Sequence, residues 1–433
     1  MNTVAFYTLG CKVNQYDSQA MLELFEQAGY SPRAFSESAD VYVINTCVVT
    51  GTGEQKSRQA VRRALRRNPA AQVVLSGCLA QKEAEGLFGL GVRLVLGNHR
   101  RAEVVTLLEE AVATDTRIAA VDQVQHVPFE RLSISRNEGH TRAVMKIQEG
   151  CDRWCAYCII PSVRGGIRSR PVEEIAQEAQ RLSDAGYQEV VLTGIHLSSF
   201  GRDLQDAALL DAVHAAAAPQ GIRRVRLGSL EPVIATEVFA QGLAAIGKVC
   251  PQFHLSLQSG SDTVLKRMRR RYTGTEYLDA ARHLRAAFPG CALTTDVIAG
   301  FPGESDEEHR DTIAFLQEAG FAKLHVFPFS AREGTAAAAM PDQLPKAVKD
   351  QRARELIRLG EEMNLAYRTS LLHTVQDVLL EEQDGGLWKG HSAQYLPVWC
   401  DRGSQGEVVT LLITAIKDDG FLGTLAPATG KQA

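Results

Sequence analysis

Six apolar, β-branched segments between residues 142 and 328 are each followed by a segment in which apolar residues recur at helical spacing. Two parallel strands need a crossover connection, and a helix usually provides it. Six such units in succession predict a partial (β/α)6 barrel rather than the full eight-stranded one. The predicted strands are 142–149, 188–193, 222–227, 252–258, 291–299 and 322–328. Functional residues are expected at the carboxyl ends of these strands.

A shorter α/β pattern precedes the barrel, from residue 3 to about residue 113. Its predicted strands are 4–8, 41–45, 73–76 and 92–96, with helical patterns between them. Asn14 is predicted to cap the helix that follows the first strand. These features predict a small, doubly wound α/β domain.

The end of the chain has a different pattern. A long, charged helix is predicted at 346–370, followed by strands at 375–380, 395–400, 408–416 and 421–425 with glycine turns and no helices between them. This pattern predicts a small all-β barrel. The chain as a whole is therefore expected to be α/β, divided into an amino-terminal domain (1–113), a linker (114–140), the partial barrel (141–370) and the terminal barrel (371–433).

Composition excludes several classes of protein. Hydrophobic residues make up 45% and charged residues 23% of the 433 residues, which is too apolar for a disordered chain. A net charge of −4 means that any contact with RNA has to be local. No apolar run reaches the length of a membrane span, and the first residues lack the pattern of an export signal. A cytoplasmic protein without a membrane partner is therefore expected.

Three cysteines, Cys151, Cys155 and Cys158, lie within eight residues directly after the first predicted barrel strand. Three thiolates can hold three irons of a 4Fe–4S cluster and leave the fourth iron open for another ligand. The alternatives are a zinc knuckle that lacks its fourth ligand, or three unrelated cysteines. The spacing and the position favour the cluster.

A second set of thiols is spread over the amino-terminal domain. Cys11, Cys47 and Cys78 each follow the carboxyl end of a different predicted parallel strand. Open α/β sheets bind ligands at this edge, and neighbouring strand ends can bring the three thiols together. The pattern predicts a second three-thiol cluster, with three unrelated core cysteines as the alternative. The remaining cysteines, Cys250, Cys291 and Cys400, fit no cluster spacing and are interpreted as structural.

These two sets of thiols and the barrel resemble the radical S-adenosylmethionine methylthiotransferase family, over essentially the whole chain. The terminal barrel is similar to the TRAM domain of that family. Segments 9–18, 45–50 and 57–59 most resemble the branch that acts on threonylcarbamoyladenosine in tRNA.

The resemblance implies two 4Fe–4S clusters and S-adenosylmethionine as cofactors. The cluster at Cys151, Cys155 and Cys158 would cleave the cofactor to a radical, and the cluster at Cys11, Cys47 and Cys78 would present sulfur. The implied product carries a methylthio group on carbon 2 of a modified adenine beside the tRNA anticodon. The implied partners are that tRNA, an external electron donor and a sulfur donor.

Three alternatives to this function remain open at the level of sequence. The substrate could be isopentenyladenosine in tRNA or an aspartate of a ribosomal protein. A protein of another class, a non-catalytic iron–sulfur redox or sensor protein with an RNA-binding tail, would also contain clustered thiols and a terminal barrel.

The resemblance also implies which residues contact the cofactor, most of them at the ends of barrel strands. They are Tyr157, Gly194, Ser229, Glu231, Gln258, Asp296 and Ile298. Each alone could be part of an ordinary barrel loop, and Tyr157 could be a core aromatic.

Two basic clusters are candidates for contact with RNA phosphates, or for an ordinary solvated face. They are Lys56, Arg58, Arg62 and Arg66, and then Lys266, Arg267 and Arg270. Residues 371–431, in contrast, hold four Lys or Arg and eight Asp or Glu. The terminal barrel is therefore expected to repel phosphate unless its cations cluster, or unless aromatics such as Trp388 and Tyr395 bind the RNA.

Overall fold

The structure is a computed structural model that describes residues 2–49, 51–125, 127–137 and 139–426. Thr50 of the second family motif, Glu138 of the expected linker and the last seven residues of the expected terminal domain lie outside the described residues. Within the described chain, no helix is both long enough and apolar enough to cross a membrane.

The amino-terminal region is a six-stranded parallel sheet with apolar clusters on both faces. Tyr42 and Ile44 point into one cluster, and Val41 and Val43 into the other, as alternation along a buried strand requires. The strands are β1 (Thr3–Thr8), β2 (Ser31–Arg33), β3 (Val41–Thr46), β4 (Gln72–Gly77), β5 (Leu94–Leu96) and β6 (Ile118–Ala120), in the order β2-β1-β3-β4-β5-β6. The helices are α1 (Lys12–Gln27), α2 (Gly51–Arg67), α3 (Cys78–Glu83) and α4 (Val104–Ala113). The sheet extends through β6, beyond the expected boundary at residue 113.

The prediction that Asn14 caps helix α1 is wrong. The helix begins at Lys12, and its N-cap is Cys11, which forms no side-chain capping bond. Asn14 lies inside the first turn, where its amide donates to the carbonyl oxygens of Leu9 (2.6 Å) and Thr46 (3.0 Å). The side chain therefore ties the ends of β1 and β3 to the helix.

The middle of the chain is the partial barrel. Its six parallel strands are β7 (Arg142–Glu149), β9 (Glu189–Gly194), β10 (Arg224–Leu227), β11 (Gln252–His254), β12 (Ala292–Ala299) and β13 (Lys323–Pro328). Isolated bridges at Val225–Val249 and Leu230–Leu255 join β10 to β11. A short strand, β8 (Arg168–Ser169), pairs antiparallel with the end of β7. All six predicted strands are present.

Helices follow the barrel strands and cover their outer face. They are α5 (Ile160–Arg164), α6 (Val172–Asp184), α7 (Leu209–Ala217), α8 (Glu237–Ala245), α9 (Asp262–Arg267), α10 (Gly274–Ala287) and α11 (Asp306–Ala319). Reciprocal capping bonds start two of them, between Thr273 and Glu276 in α10 and between Ser305 and Glu308 in α11. Such bonds satisfy amide groups that the first turn leaves unpaired.

Helix α12 (Lys346–Ser370) leads into the terminal barrel. This barrel is closed in the order β14-β15-β16-β18-β17, which leaves no open sheet edge. Its strands are β14 (Val375–Asp384), β15 (Leu387–Ser392), β16 (Pro397–Cys400), β17 (Val408–Lys417) and β18 (Gly420–Leu425). The predicted fold class, α/β with a partial barrel and a terminal all-β barrel, is confirmed.

Helix α1 packs on both the sheet and the barrel. Met21 and Phe25 belong to an apolar cluster of the sheet, whereas Tyr16 and Ala20 belong to the main cluster of the barrel. The carboxyl edge of the amino-terminal sheet therefore lies close to the first barrel strand.

Candidate functional site

The amino-terminal thiols lie at the carboxyl ends of three neighbouring strands. Cys11 follows β1, Cys47 follows β3 and Cys78 is the first residue after β4. At Gly10 (φ +97°) a Cβ would lie 3.1 Å from the Cys47 Sγ, and at Gly77 (φ +90°) it would lie 2.6 Å from a backbone carbonyl oxygen. Only glycine fits both positions without strain, so the sequence keeps this edge of the sheet closely packed.

A buried arginine from the barrel reaches this thiol set. The Arg164 Nε donates to the Cys78 Sγ at 3.2 Å, its Nη1 donates to Glu149 at 2.7 Å, and its Nη2 donates to Asn14. Arg164 lies in α5, six residues after Cys158. The side chain therefore connects the loop of one thiol set to a thiol of the other.

The pKa directions agree with this arrangement. Burial raises the pKa of the Cys78 thiol, and the charge of Arg164 opposes that rise. The Cys11 side chain is accessible, yet the surrounding protein raises its pKa too, again opposed by Arg164. Cys47 raises the pKa of Cys78, and Cys78 raises that of Cys11, so these thiols are close enough to interact.

The other thiol set, Cys151, Cys155 and Cys158, occupies the loop directly after β7. Burial, with a smaller contribution from the charge of Cys155, raises the pKa of Cys151 to about 11 and that of Cys158 to about 12. Thiols whose pKa values are raised in this way, here Cys151 and Cys158, bind protons in the absence of a compensating cation. A metal that binds them displaces those protons.

Arg270 lies against this set and connects it to a buried carboxylate. Its Nη1 donates to the Cys155 Sγ at 3.1 Å, and its Nη2 lies 3.0 Å from a carboxylate oxygen of Glu231. Glu231 also lies 2.7 Å from the Arg153 guanidinium and 3.2 Å from the His196 ring. Burial alone would raise the pKa of Glu231, but His196, Arg270 and Arg153 together lower it to about 2.

The residues fit a 4Fe–4S cluster at each thiol set. Thiolates are the donors that iron–sulfur clusters use, and an arginine N–H group reaches one sulfur of each set. No three His, Cys, Asp or Glu side chains in the described ranges are arranged to hold a single metal ion. The thiols of a cluster are spread around a core of several atoms, so this finding is compatible with clusters. The six cysteines remain predicted ligands.

Six of the predicted cofactor contacts lie at the carboxyl ends of β9 to β12 or just beyond. Tyr157 and Ile298 pack against the same small apolar cluster, which contains Ala156 and Phe301. Ser229 is exposed, and Glu231 is fully engaged with the side chains described above. The other three are Gly194, Gln258, whose N–H donates to the Asp296 carbonyl at 2.9 Å, and Asp296 itself. Their contact with a cofactor stays a prediction.

The basic residues predicted to contact RNA divide into exposed and engaged groups. Lys56, Arg62, Arg66 and Lys266 are exposed. Arg58 pairs with Glu83 at 2.6 Å, and Arg267 pairs with Glu308 at 2.7 Å.

Arg270 is also engaged, but with partners inside the protein. Its side chain is only 7% exposed, because it turns inward to Cys155 between the exposed Arg269 and Arg271. Arg270 is therefore not available to phosphate, and the sequence prediction for this residue is not supported.

Sequence reasoning missed Arg164. It follows the thiol loop closely, but no spacing rule predicts that it crosses to Cys78. Asn98 was missed as well: its amide lies 3.8 Å from the Cys78 Sγ and donates to the Val163 carbonyl at 2.7 Å.

The fold and this site define a radical S-adenosylmethionine enzyme, with a partial barrel and three thiols after its first strand. The model of the Radical SAM superfamily matches residues 145–316, and the model of Uncharacterized protein family UPF0004 matches residues 3–97. Comparison with known proteins narrows the class further.

Threonylcarbamoyladenosine tRNA methylthiotransferase MtaB of Bacillus subtilis (strain 168) is 41% identical over 408 residues, which cover 92% of this chain and 90% of the relative. The tRNA-2-methylthio-N(6)-dimethylallyladenosine synthase of Syntrophobacter fumaroxidans (strain DSM 10017 / MPOB) is 34% identical and covers 98% and 96%. The chain belongs to the methylthiotransferase family of radical S-adenosylmethionine enzymes. It is a transferase that uses S-adenosylmethionine and 4Fe–4S chemistry, so the non-catalytic alternative is wrong.

A solved structure has a similar fold. The radical S-adenosylmethionine methyltransferase TsrM from Kitasatospora setae, with cobalamin and a [4Fe–4S] cluster bound, aligns with a TM-score of 0.58 at 14% sequence identity. The alignment covers 78% of this chain and 77% of TsrM. At this identity the likeness concerns the fold alone.

Proposed function

We propose that this enzyme replaces the hydrogen on carbon 2 of threonylcarbamoyladenosine, beside the tRNA anticodon, with a methylthio group. The observation that carries the proposal is that Arg164, six residues after Cys158, contacts Cys78 of the other thiol set at 3.2 Å. The 41% identity with a threonylcarbamoyladenosine tRNA methylthiotransferase supports the choice of substrate.

We assign Cys151, Cys155 and Cys158 to the cluster that binds S-adenosylmethionine, and Cys11, Cys47 and Cys78 to the cluster that carries sulfur. When bound, these groups supply a one-electron reduction, hydrogen abstraction, and sulfur and methyl transfer. The C2–H group of adenine is neither acidic nor electrophilic, which is why acid–base groups alone cannot do this chemistry.

The chain's own residues would hold and tune the two sites. Arg270 donates to the Cys155 Sγ and Arg164 donates to the Cys78 Sγ, so each stabilises one thiolate. Glu231 holds Arg270 and Arg153 in place as a charged carboxylate. Tyr157 and Ile298 would form an apolar wall for the adenine of the cofactor, with Gly194, Ser229, Gln258 and Asp296 nearby.

A second candidate substrate is dimethylallyladenosine in tRNA, which is favoured by the relative at 34% identity that is named for it. A ribosomal protein aspartate is the third. For the tRNA substrates we assign phosphate contacts to the exposed Lys56, Arg62, Arg66 and Lys266. We also infer a cytoplasmic location, an external electron donor and a separate sulfur donor.

Nucleoside mass spectrometry on tRNA from a deletion strain tests the proposal. We expect 2-methylthio-threonylcarbamoyladenosine to disappear and its precursor to accumulate, with recovery from a plasmid that carries the wild-type chain. Loss of the dimethylallyl product instead would favour the second candidate. Unchanged methylthio-nucleosides would remove both tRNA substrates.

The separate roles assigned to the two thiol sets are tested in the same strain. Cys47→Ala should abolish product formation but leave S-adenosylmethionine cleavage by the purified protein intact, whereas Cys155→Ala should abolish both. Cys291→Ala is the matched control, since Cys291 is buried in the barrel core. The assignment would be contradicted if Cys47→Ala lost S-adenosylmethionine cleavage while the cluster at Cys151, Cys155 and Cys158 kept its full iron content.

A further inference from the structure

A cavity of about 450 Å³ lies where helix α1, the partial barrel and the terminal barrel meet. Lys12 and Gln15 line it from α1, Val144 and Val191 from β7 and β9, and Tyr395 and Gln405 from the terminal barrel. All three parts of the chain therefore contribute to one recess. Val144 and Val191 give it apolar surface, and most of the other lining residues carry hydrogen-bonding groups.

The acids that line the cavity are already paired. Glu381 lies 3.2 Å from the Arg142 guanidinium and 3.0 Å from the His391 ring, and Glu382 lies 3.6 Å from Lys389. Arg142 itself lines the cavity, so its charge is balanced by Glu381.

The acid behind the cavity is paired as well. Glu189 lies 2.8 Å from both Arg224 and Arg226. Lys12, in contrast, forms no ion pair with any of the described acids, and its Nζ lies 5.8 Å from the centre of the Tyr395 ring. A half-buried cation without an acidic partner favours the binding of an anion.

Lys12 also has a fixed position relative to the predicted sulfur-carrying site. It directly follows Cys11, and consecutive Cα atoms lie about 3.8 Å apart. In adenine, C2 and C6 belong to the same six-membered ring, on opposite sides of N1. A base whose C2 faces the thiols therefore projects its N6 substituent away from them, over a distance that the four-carbon stem of a lysine can match.

We propose that Lys12 binds the carboxylate of the threonylcarbamoyl group of the substrate and selects for substrates that carry it. Gln15 and Gln405 supply amide groups to the carbamoyl and hydroxyl parts of that group. This inference rests on the proposed function and names a specificity-determining residue for it.

The same geometry disfavours an apolar substituent. A dimethylallyl group offers no anion and no hydrogen bond, so it would leave Lys12, Gln15 and Gln405 covered without partners. A site built to hydrogen-bond its substrate discriminates strongly against an analogue that lacks those groups. The cavity therefore favours the threonylcarbamoyl substrate over the second candidate.

The test measures binding of anticodon stem-loop RNAs to the anaerobically reconstituted enzyme by fluorescence anisotropy. Three probes differ only at the adenosine beside the anticodon, which carries threonylcarbamoyl, its neutral methyl ester, or dimethylallyl. For wild type we expect the acid to bind roughly 10- to 100-fold more tightly than the ester, the usual range for one charge-assisted contact. Lys12→Met should bind the acid and the ester equally, and Lys12→Arg should keep most of the preference.

Lys323→Met is the control, because Lys323 is an exposed lysine at the start of β13. Iron and sulfide contents of each variant are measured, since Lys12 adjoins Cys11. Should Lys12→Met lose iron, Gln15→Leu replaces it, with an expected loss of roughly 3- to 10-fold on the acid. A preference for the acid over the ester that survives in Lys12→Met overturns the inference. When Gln15→Leu is used instead, undiminished binding of the acid overturns it. If wild type itself prefers neither the acid nor the ester over dimethylallyl, the proposed substrate fails instead.

Discussion

Each of the three donor nitrogens of Arg164 donates to a different part of the molecule. Cys78 belongs to the amino-terminal sheet, Glu149 ends the first barrel strand, and Asn14 lies in helix α1. A planar guanidinium can hold three such directions at once, whereas a lysine ammonium is a single point of charge on a flexible stem. Substitution by lysine is therefore not conservative here.

Arg164→Lys is expected to lower the free energy of unfolding by about 3 kcal/mol, because buried groups lose their partners. It should also reduce the iron retained by the amino-terminal thiols. Chemical unfolding and iron analysis measure the two effects. Arg131→Lys is the control. Arg131 is 81% exposed and pairs with Glu174 at the surface, so this substitution should change the free energy of unfolding by less than about 1 kcal/mol. Equal effects in both variants would contradict the role of Arg164.

Arg270 allows a prediction that separates tuning from folding. Its N–H group donates to the Cys155 Sγ, so its positive charge would stabilise the extra negative charge of a reduced cluster held there. Arg270→Gln should therefore lower the reduction potential, by on the order of 30 to 100 mV. An anaerobic redox titration followed by electron paramagnetic resonance measures this. Arg271→Gln, at an exposed neighbour, should leave the potential unchanged.

At the scale of elements, the length of each strand or helix largely determined whether the sequence could predict it. Helix α12 and five of the six barrel strands lie close to their predicted bounds, because each has enough residues for its apolar period to be read. The exception is β11, which covers only Gln252–His254 of the predicted 252–258. The missed strands β2, β6 and β8 have only two or three residues, and β2 contains a proline. Strand β15 was missed because Leu387–Ser392 contains a glycine and little apolar alternation.

The candidate site was predictable only in part, for a related reason. The spacing of the thiols and their positions after predicted strands indicate both sets in the sequence. Arg164 and Asn98 do not, since their contacts depend on how the sheet and the barrel pack together. Helix α1 sets this packing. The spacing of its apolar residues predicts a helix, but it does not predict that two faces of the helix are buried against different partners.

Asp17 in α1 is the strongest case. It is fully buried and pairs with both Arg101 and Lys146, contacts that the spacing of apolar residues in α1 does not predict. Arg101 also lies 2.7 Å from Glu130. A helix from the first domain thus carries the acid that neutralises a lysine inside the barrel.

Asp17→Asn should destabilise the contact between these two parts by about 3 kcal/mol, since it removes the buried carboxylate that two buried cations share. Lys146 then keeps only Glu149, at 3.5 Å. Urea unfolding should give an earlier first transition than in wild type. Glu26→Gln is matched to it on the same helix: Glu26 pairs with Arg136 at 2.6 Å but is partly exposed, so the loss should stay below about 1 kcal/mol. An unchanged first transition in Asp17→Asn would mean that α1 does not hold the two parts together.

For the whole molecule, the charge of the terminal barrel has a structural explanation. Its excess of acids is partly used against arginines of the partial barrel, as in the pair of Glu381 with Arg142. Its backbone carbonyls accept from Arg224 and Arg226 as well. Tyr395, an expected RNA contact, is stacked on His391 with the Arg142 and Arg226 guanidinium groups 4.8 Å from its ring. The acidic barrel is therefore docked through the features that sequence reasoning had considered for RNA.

Glu189 holds the arginines of this docking surface. Burial would raise its pKa, but Arg226 and Arg224 lower it from 4.5 to about 2. A carboxyl whose pKa is lowered by folding adds stability that is fully present above pH 4.5 and is lost as the pH falls towards 2. The shift corresponds to about 3 kcal/mol.

Glu189→Gln should accordingly cost about 3 kcal/mol of unfolding free energy at pH 7, and its difference from wild type should shrink as the pH falls from about 4.5 to 2. Tryptophan fluorescence reports on the transition, because Trp388 and Trp399 lie in the terminal barrel and only Trp154 lies elsewhere. Glu382→Gln is the control, since Glu382 is 64% exposed and pairs only loosely with Lys389. A difference between Glu189→Gln and wild type that stays constant down to pH 2 would mean that the arginines hold the terminal barrel without help from this carboxylate. The docking would then depend on their backbone contacts alone.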